Sequence, residues 1–172
     1  MHIARHLKDD RICLEMQSSP LGDEEREELG ARAVRVQKEA ILGEVVEFLE
    51  ERANVGNAKK LLTDLINRER KACTAVGRGL AIPHVRTANV KDPTIAFLRS
   101  TEGLEFGSPD ALPVHIFLVL LAPPWDDKLY LKIYKEAGEL FLRDDVLPYL
   151  LSAEKENEVL NFFRTPEKFF WD

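Results

Sequence analysis

The chemistry legible in this chain centres on one imidazole. His84 closes the segment Gly77-Arg78-Gly79-Leu80-Ala81-Ile82-Pro83-His84. Gly77 and Gly79 permit backbone conformations closed to other residues and let main-chain N–H groups come close to a ligand. Leu80 to Ile82 is an apolar run of strand length. Pro83, with a fixed φ and no N–H, belongs at a strand end. The pattern predicts a histidine presented at an edge on a stiff support. Held that way, one ring nitrogen can be fixed by a neighbour while the other stays open, as a nucleophilic imidazole requires. Taken alone, the pattern also fits a surface or capping histidine. His115 lies in an apolar run, where a hydrogen-bonded core or sheet-end histidine is expected. Cys13 and Cys73 form no C-x-x-C pair and read as free thiols of a reducing compartment. No set of Cys, His and carboxylates has metal spacing, and no Gly-Lys-Ser/Thr loop marks nucleotide binding, so no cofactor is expected.

The elements that must carry His84 follow from periodicity. Residues 1–10 read as a lead-in with one helical turn around Ile3 and Leu7, and residues 11–16 as a first strand. Ser18-Ser19-Pro20 breaks it, and the dense charges from Asp23 to Glu28 read as a solvated helix or loop. From Gln37 to Arg52, residues Ile41, Leu42, Val45, Val46, Phe48 and Leu49 line one helical face. Gly56-Asn57 ends that helix and caps a second, whose apolar residues Ala58, Leu61, Leu62, Leu65 and Ile66 recur at helical spacing. Arg68 and Glu69 fall at its C-terminal end. Thr94 to Arg99 is a strand, Glu102-Gly103 a turn, and Pro113 to Leu121 a central strand covered on both faces. Asp126 or Asp127 caps a third long helix with Leu129, Tyr130, Ile133, Tyr134, Ala137, Leu140 and Phe141 on its apolar side. Asp144-Asp145 caps a short helix through Leu151, and Glu156 to Phe163 forms the last. Helices and strands alternate, so the class is α/β: a small mixed β-sheet with helices on both faces.

Composition sets limits on partners. A chain of 172 residues, 45% of them hydrophobic, builds one domain with a real core. The net charge of −6 argues against nucleic-acid binding, which needs a basic face. The longest strongly apolar run, Ile116 to Ala122, falls far short of the ~20 residues of a membrane helix. The N-terminus lacks the apolar core of a signal peptide. No membrane insertion and a cytoplasmic location are the expectations.

The run Arg68-Glu69-Arg70-Lys71-Ala72-Cys73-Thr74-Ala75-Val76 followed by Gly77 to His84 resembles the active-site segment of type-2 enzyme IIA domains of the bacterial phosphoenolpyruvate:sugar phosphotransferase system (PTS), the mannitol/fructose and nitrogen-regulatory kind. Gly103-Leu104-Glu105-Phe106 and Phe117 to Pro123 are similar to that family's middle section. The resemblance implies that His84 carries a phosphoryl group accepted from HPr or an HPr-like phosphocarrier. The group would then pass to an enzyme IIB or stay as a mark read by a regulatory target. With no transporter or IIB segment attached, a regulatory, nitrogen-related role is expected ahead of direct sugar uptake. The alternative is a non-catalytic module of the same fold that senses an anion or a partner. The resemblance also marks residues 18–36 as an insertion, exposed and peripheral to the core. The aromatic tail, residues 164–172, is expected to fold back on the body.

A phosphoryl carrier needs a nucleophile, fixed donors for the phosphoryl oxygens, a nearby positive charge and an open face. His84 supplies the first; the Gly77 and Gly79 amides and the Thr74 hydroxyl are the candidate donors. Arg68 offers a planar, permanent charge suited to phosphate. For Glu69 the residues suggest pairing with a nearby Arg or Lys, and for Arg78 a solvated or partner-facing charge. Three positions depart from the family pattern: Cys73 for a usual serine, Ala75 for a usual glycine, and Tyr130 where a second histidine usually borders the first. The hydroxyl of Tyr130 is expected within reach of the His84 ring or its phosphoryl group.

Overall fold

The computed structural model describes residues 1–126 and 128–170, Phe170 by its backbone alone. The apolar run at its centre becomes strand β6, Val114–Ala122, buried along almost its whole length. The elements before it, in chain order, are α1 (His2–His6), β1 (Leu7–Cys13), α2 (Asp23–Leu29), a 3-10 turn (Gly30–Arg32), α3 (Ala33–Arg52), α4 (Ala58–Lys71), β2 (Ala75–Gly77), β3 (Leu80–Ala81), β4 (His84–Arg86) and β5 (Thr94–Leu104). After it come α5 (Leu129–Phe141), α6 (Val146–Ser152), α7 (Glu156–Arg164) and α8 (Glu167–Phe170). Among the described residues the strands form one mixed sheet in the order β1-β5-β6-β3-β2, with β4 also on β6. β5 runs antiparallel to β6; β3 and β4 run parallel to it.

Strand alternation sends β6 side chains into two cores. Ile116, Leu118 and Leu120 meet Ile3, the apolar face of α5, and α6 and α7. Phe117, Val119 and Leu121 meet Ile41, Leu42, Val45 and Leu49 of α3 and Leu61 and Leu65 of α4. Each face of the sheet is thus sealed by helices, which a strand apolar on both sides requires. Among the described residues no helix is long and apolar enough to cross a membrane.

Several boundaries differ from the sequence reading. The first strand starts at Leu7, not Arg11, because its charged middle lies at the open edge of the sheet, where polar side chains cost nothing. Glu102-Gly103 is no turn: β5 runs through it with an irregular register between Arg99 and Leu104. Gly103 has φ +83°, and a Cβ there would lie 2.7 Å from both His115 and Pro113, so only glycine fits this bulge. Asp145 does not cap α6; its carboxylate pairs with Arg143 at 3.1 Å. Asp126 accepts the Leu129 N–H at 3.1 Å at the start of α5, while Asp127 lies outside the described residues.

In the segment 18–36, α2 buries no residue and is tied down by an Arg26–Glu105 ion pair. Helix α3, however, begins at Ala33, four residues before the expected start. Gln37 is buried and serves the loop before α2, accepting from the Leu21 N–H at 3.3 Å and donating to Ser19 O at 3.0 Å. At the other terminus Phe169 packs on Tyr149, with ring centroids 4.7 Å apart, and on Phe162; Trp171 lies outside the described residues.

Candidate functional site

His84 stands where a parallel strand is interrupted. Leu80 and Ala81 face Ile116 and Phe117; His84, Val85 and Arg86 face Leu120, Leu121 and Ala122 in the same register. Pro83 makes the break: it has no N–H to give, while its carbonyl still accepts from Leu120 N at 2.9 Å. Leu80, Ile82, His84 and Arg86 share one parity, so the imidazole points to the α5 side of the sheet.

The backbone fixes the ring. His84 Nδ1 lies 2.8 Å from the carbonyl oxygen of Ile82. A carbonyl only accepts, so Nδ1 carries the proton. On the other side Nε2 lies 3.2 Å from Arg68 Nη2, and a guanidinium only donates, so Nε2 is unprotonated and its lone pair accepts from Arg68. Arg68 is itself held by Nη1, which donates to Ala72 O at 3.0 Å past the end of α4. Burial lowers the His84 pKa below its ordinary value, and the Arg68 charge adds to this; the Ile82 carbonyl and Glu69 act the other way. The imidazole is therefore neutral at pH 7 and nucleophilic at Nε2.

Two tyrosines one helical turn apart enclose the ring. Tyr130 stacks on it, centroids 5.7 Å apart and planes 13° apart, and Tyr134 meets it edge-on at 5.0 Å. The contact that Tyr130 makes with the imidazole is ring to ring. The hydroxyl that does engage this segment is that of Tyr134, 3.5 Å from the Ile82 carbonyl; burial pushes its phenol up to about 12. The residues form a pocket of about 220 Å³ lined by Arg68, His84, Val85, Arg86, Leu120 and Tyr130, with Ala122 at its side.

The other predicted donors stand elsewhere. Thr74 is buried, and its hydroxyl and N–H both donate to Glu69, the N–H at 3.0 Å. Its carbonyl accepts from Ile82 N at 2.9 Å, so Thr74 supports the peptide that holds His84 and gives no hydroxyl to the pocket. Glu69 pairs with Lys38 at 2.9 Å, the partner type expected for it. Gly77 and Gly79 sit at the far end of the β3–β4 line, with φ of +92° and +78° flanking Arg78 at +55°. Their turn serves packing: Arg78 N donates to Asp110 at 2.7 Å, and a Cβ on Gly79 would lie 2.8 Å from Leu147. The Arg78 side chain is no free charge; it donates to Phe141 O at 2.6 Å and pairs with Asp144. A cavity of about 440 Å³ beside that turn is larger than the His84 pocket, but its histidine, His115, bonds Ser100 O at 3.1 Å and has its Cε1 and Nε2 against Gly103.

Residues 28–165 match the family model described as "Phosphoenolpyruvate-dependent sugar phosphotransferase system, EIIA 2". The chain belongs to this family.

Among curated relatives, the EIIA domain is 32% identical over 122 residues to the PTS system fructose-specific EIIA component of Haloferax volcanii, covering 71% of this chain and 79% of that one. It is 30% identical over 132 residues to the fructose-specific EIIABC component of Bacillus subtilis, covering 77% of this chain and about a fifth (21%) of that longer protein. The nitrogen regulatory protein of Pseudomonas aeruginosa is 28% identical over 67% of this chain and 75% of its own. Among solved structures, the nitrogen regulatory protein IIA-Ntr of Neisseria meningitidis superposes with a TM-score of 0.75 at 25% identity, covering 94% and 98% of the two chains. The mannitol IIA of Escherichia coli, at 17% identity and a TM-score of 0.68, shares the fold.

Within this EIIA fold, Ala75 enters β2 opposite Ala81 with ordinary extended geometry, so the chain turns without the usual glycine. Two residues of the site escaped the sequence reading, Arg86 in the pocket lining and Tyr134 against the His84 ring. Arg86 follows His84 at strand spacing on the same face, and Tyr134 follows Tyr130 at helical spacing; both periodicities were there to find.

Proposed function

We propose that this EIIA domain is a phosphohistidine carrier that accepts a phosphoryl group at Nε2 of His84 from a phosphohistidine on HPr or an HPr-like protein. The phosphorus–nitrogen bond of the donor breaks as the bond to Nε2 forms, and Nδ1 keeps its proton against the Ile82 carbonyl. One observation carries the reading: Nδ1 is held at 2.8 Å by a carbonyl, so the unprotonated nitrogen is Nε2, and it lies in the pocket with the Arg68 guanidinium 3.2 Å away, able to turn to the phosphoryl oxygens as the bond to Nε2 forms. Arg68 is placed to take the charge of the phosphoryl oxygens, and Arg86, lining the same pocket, to add to it. A phosphoryl group on Nε2 would sit beside the Tyr130 ring, whose hydroxyl then becomes a neutral donor to it.

Onward transfer runs to an enzyme IIB cysteine or ends in a regulatory target. A solved complex pairs the E. coli mannitol IIA with phosphorylated IIB, and it shares this fold at 17% identity. The likeness to nitrogen regulatory proteins supports the regulatory role. A second reading, an anion- or partner-sensing module without transfer, draws on Tyr130: a neutral ring stacked on His84 stands where the family usually has a second histidine. Incubation with phosphoenolpyruvate, enzyme I and HPr, followed by intact mass at alkaline pH, separates them. An acid-labile gain of one phosphoryl group, lost in His84→Ala, is the expected result. No gain in the folded wild type, or a gain retained in His84→Ala, overturns the carrier reading.

A further inference from the structure

A third cavity, of about 420 Å³, opens between α3 and α4 behind the end of α4. We propose that it is a binding site for a small organic acid with an apolar body, and that its occupancy is relayed to His84 through Lys38, Glu69 and Thr74. The relay's effect on phosphoryl transfer rests on the carrier reading; the binding itself does not.

The size falls within the range of small-molecule sites. Val34, Leu42, Ile66 and Ala72 give it an apolar wall, and Arg35, Lys38 and Arg70 bring three positive charges. Its two carboxylates are already engaged, Glu69 with Lys38 at 2.9 Å and Glu39 with Arg70 at 2.9 Å. Arg35 remains over. It is exposed and has no ion pair or hydrogen bond among the described residues. A chain of net charge −6 thus presents here an apolar pocket with surplus positive charge. An occupant with a carboxylate toward Arg35 and Lys38 and an aliphatic or aromatic body on the apolar wall satisfies both features.

The relay is a continuous set of hydrogen bonds. Lys38 Nζ meets Glu69 at 2.9 Å, Thr74 N donates to Glu69 at 3.0 Å, Ile82 N donates to Thr74 O at 2.9 Å, and His84 Nδ1 donates to Ile82 O at 2.8 Å. Its first two members, Lys38 and Glu69, line the cavity, and a ligand carboxylate there competes with Glu69 for the Lys38 ammonium. The charged and titratable groups around His84 are Arg68 and Glu69 from α4, Arg86 from β4, and Tyr130 and Tyr134 from α5. With Lys38 drawn away, Glu69 is less compensated, and Glu69 already raises the His84 pKa. The ligand's own charge acts in the same direction, so binding shifts the imidazole toward its protonated form.

Isovalerate and 3-phenylpropionate are the probes, with isopentylamine as the cationic control. In the full chain, amide chemical shifts of Val34, Arg35, Leu42, Ile66 and Cys73 should move saturably with either acid below about 10 mM and not with the amine. Arg35→Gln, an exposed change, should weaken binding roughly tenfold. In a Cys13→Ser background, the acids should slow maleimide labelling of Cys73, which lines the cavity. The His84 ring, followed by NMR titration, should show a raised pKa when the site is filled. No saturable binding, equal binding by the amine, or binding indifferent to Arg35→Gln overturns the site. Binding with an unmoved His84 titration overturns the relay. If the acid binds and the ring titration moves while HPr fails to phosphorylate the protein, this proposal stands and the carrier reading falls.

Discussion

Replacing Arg68 by methionine separates two roles that the structure gives one guanidinium. Arg68 lowers the His84 pKa, and it stands 3.2 Å from the nitrogen that would carry the phosphoryl group. The first role is bounded by arithmetic. An unperturbed histidine titrates near ~6.5, so about three-quarters of it is neutral at pH 7; even a rise to about 7 leaves half neutral. Losing the pKa effect therefore slows phosphoryl acceptance at pH 7 by no more than about twofold. The second role is larger. A hydrogen bond to a charged group is worth ~1.5–3 kcal/mol, which at the barrier means a loss of about 10- to 150-fold. Methionine keeps most of the apolar stem and removes one bond to Ala72 O, so the fold should hold. The assay is the initial rate of transfer from phosphorylated HPr at pH 7 and 8.5, with the melting temperature as control. The loss should persist at pH 8.5, where every His84 is neutral in both proteins. A loss below about threefold at pH 8.5, or one present at pH 7 and gone at 8.5, refutes the assignment of Arg68 to the phosphoryl oxygens.

Tyr130→Phe keeps the stacked ring and removes the neutral donor, so acceptance should fall by about 2- to 10-fold with no loss of stability, and Tyr130→His should restore or raise it; equal rates for all three proteins would remove the hydroxyl from the mechanism. Because the folded pKa of His84 is depressed, the folded state resists protonation: stability is fully present above pH ~6.5 and declines as pH falls through the depressed value. His84→Gln should flatten part of that decline in urea titrations between pH 7 and 5, leaving the share of His6, which burial also lowers. Bridging residues 22–32 with a short linker should change the melting temperature little, because α2 buries nothing and its Arg26–Glu105 pair is exposed, worth ~0.2–1 kcal/mol; extending the deletion to residue 37 should cost much more, since Ala33 and Gln37 are buried.

Much of the fold was legible because its strongest signals are long. The unbroken apolar run of β6 and the helical stripes of α3, α4 and α5 leave one arrangement, a sheet sealed on both faces. The start of β1 was not, because Leu7–Cys13 carries four consecutive charged residues, Lys8 to Arg11, and owes its extended form to pairing with β5. At the site, His84 and Arg68 came together as the family resemblance implied. Gly77 and Gly79 did not, and the chain itself holds the reason. Five residues of mostly extended backbone, roughly 16 Å, separate Gly79 from the imidazole, and Gly77 lies across the turn beside Leu80, so neither amide reaches the ring. Thr74 reads as a donor by type, but only the fold reveals that the buried Glu69 claims its hydroxyl. Tyr134 was read only as core, since a periodic stripe does not say which of its members border a rim.

The group that fixes the proton on His84 is a main-chain carbonyl, and this has a genetic consequence. No codon change at position 82 can delete it; Ile82 to valine or leucine leaves the oxygen in place. What sets the nucleophile's tautomer is the route of the chain from Ile82 through Pro83 to His84, pinned to β6 by the bond from Leu120. Substitution at position 82 therefore leaves the acceptor in place, whereas the length between 82 and 84 has to be kept. A one-residue insertion there would do what substitution cannot: it would break the shared parity of Ile82 and His84 and part Nδ1 from the carbonyl that holds it.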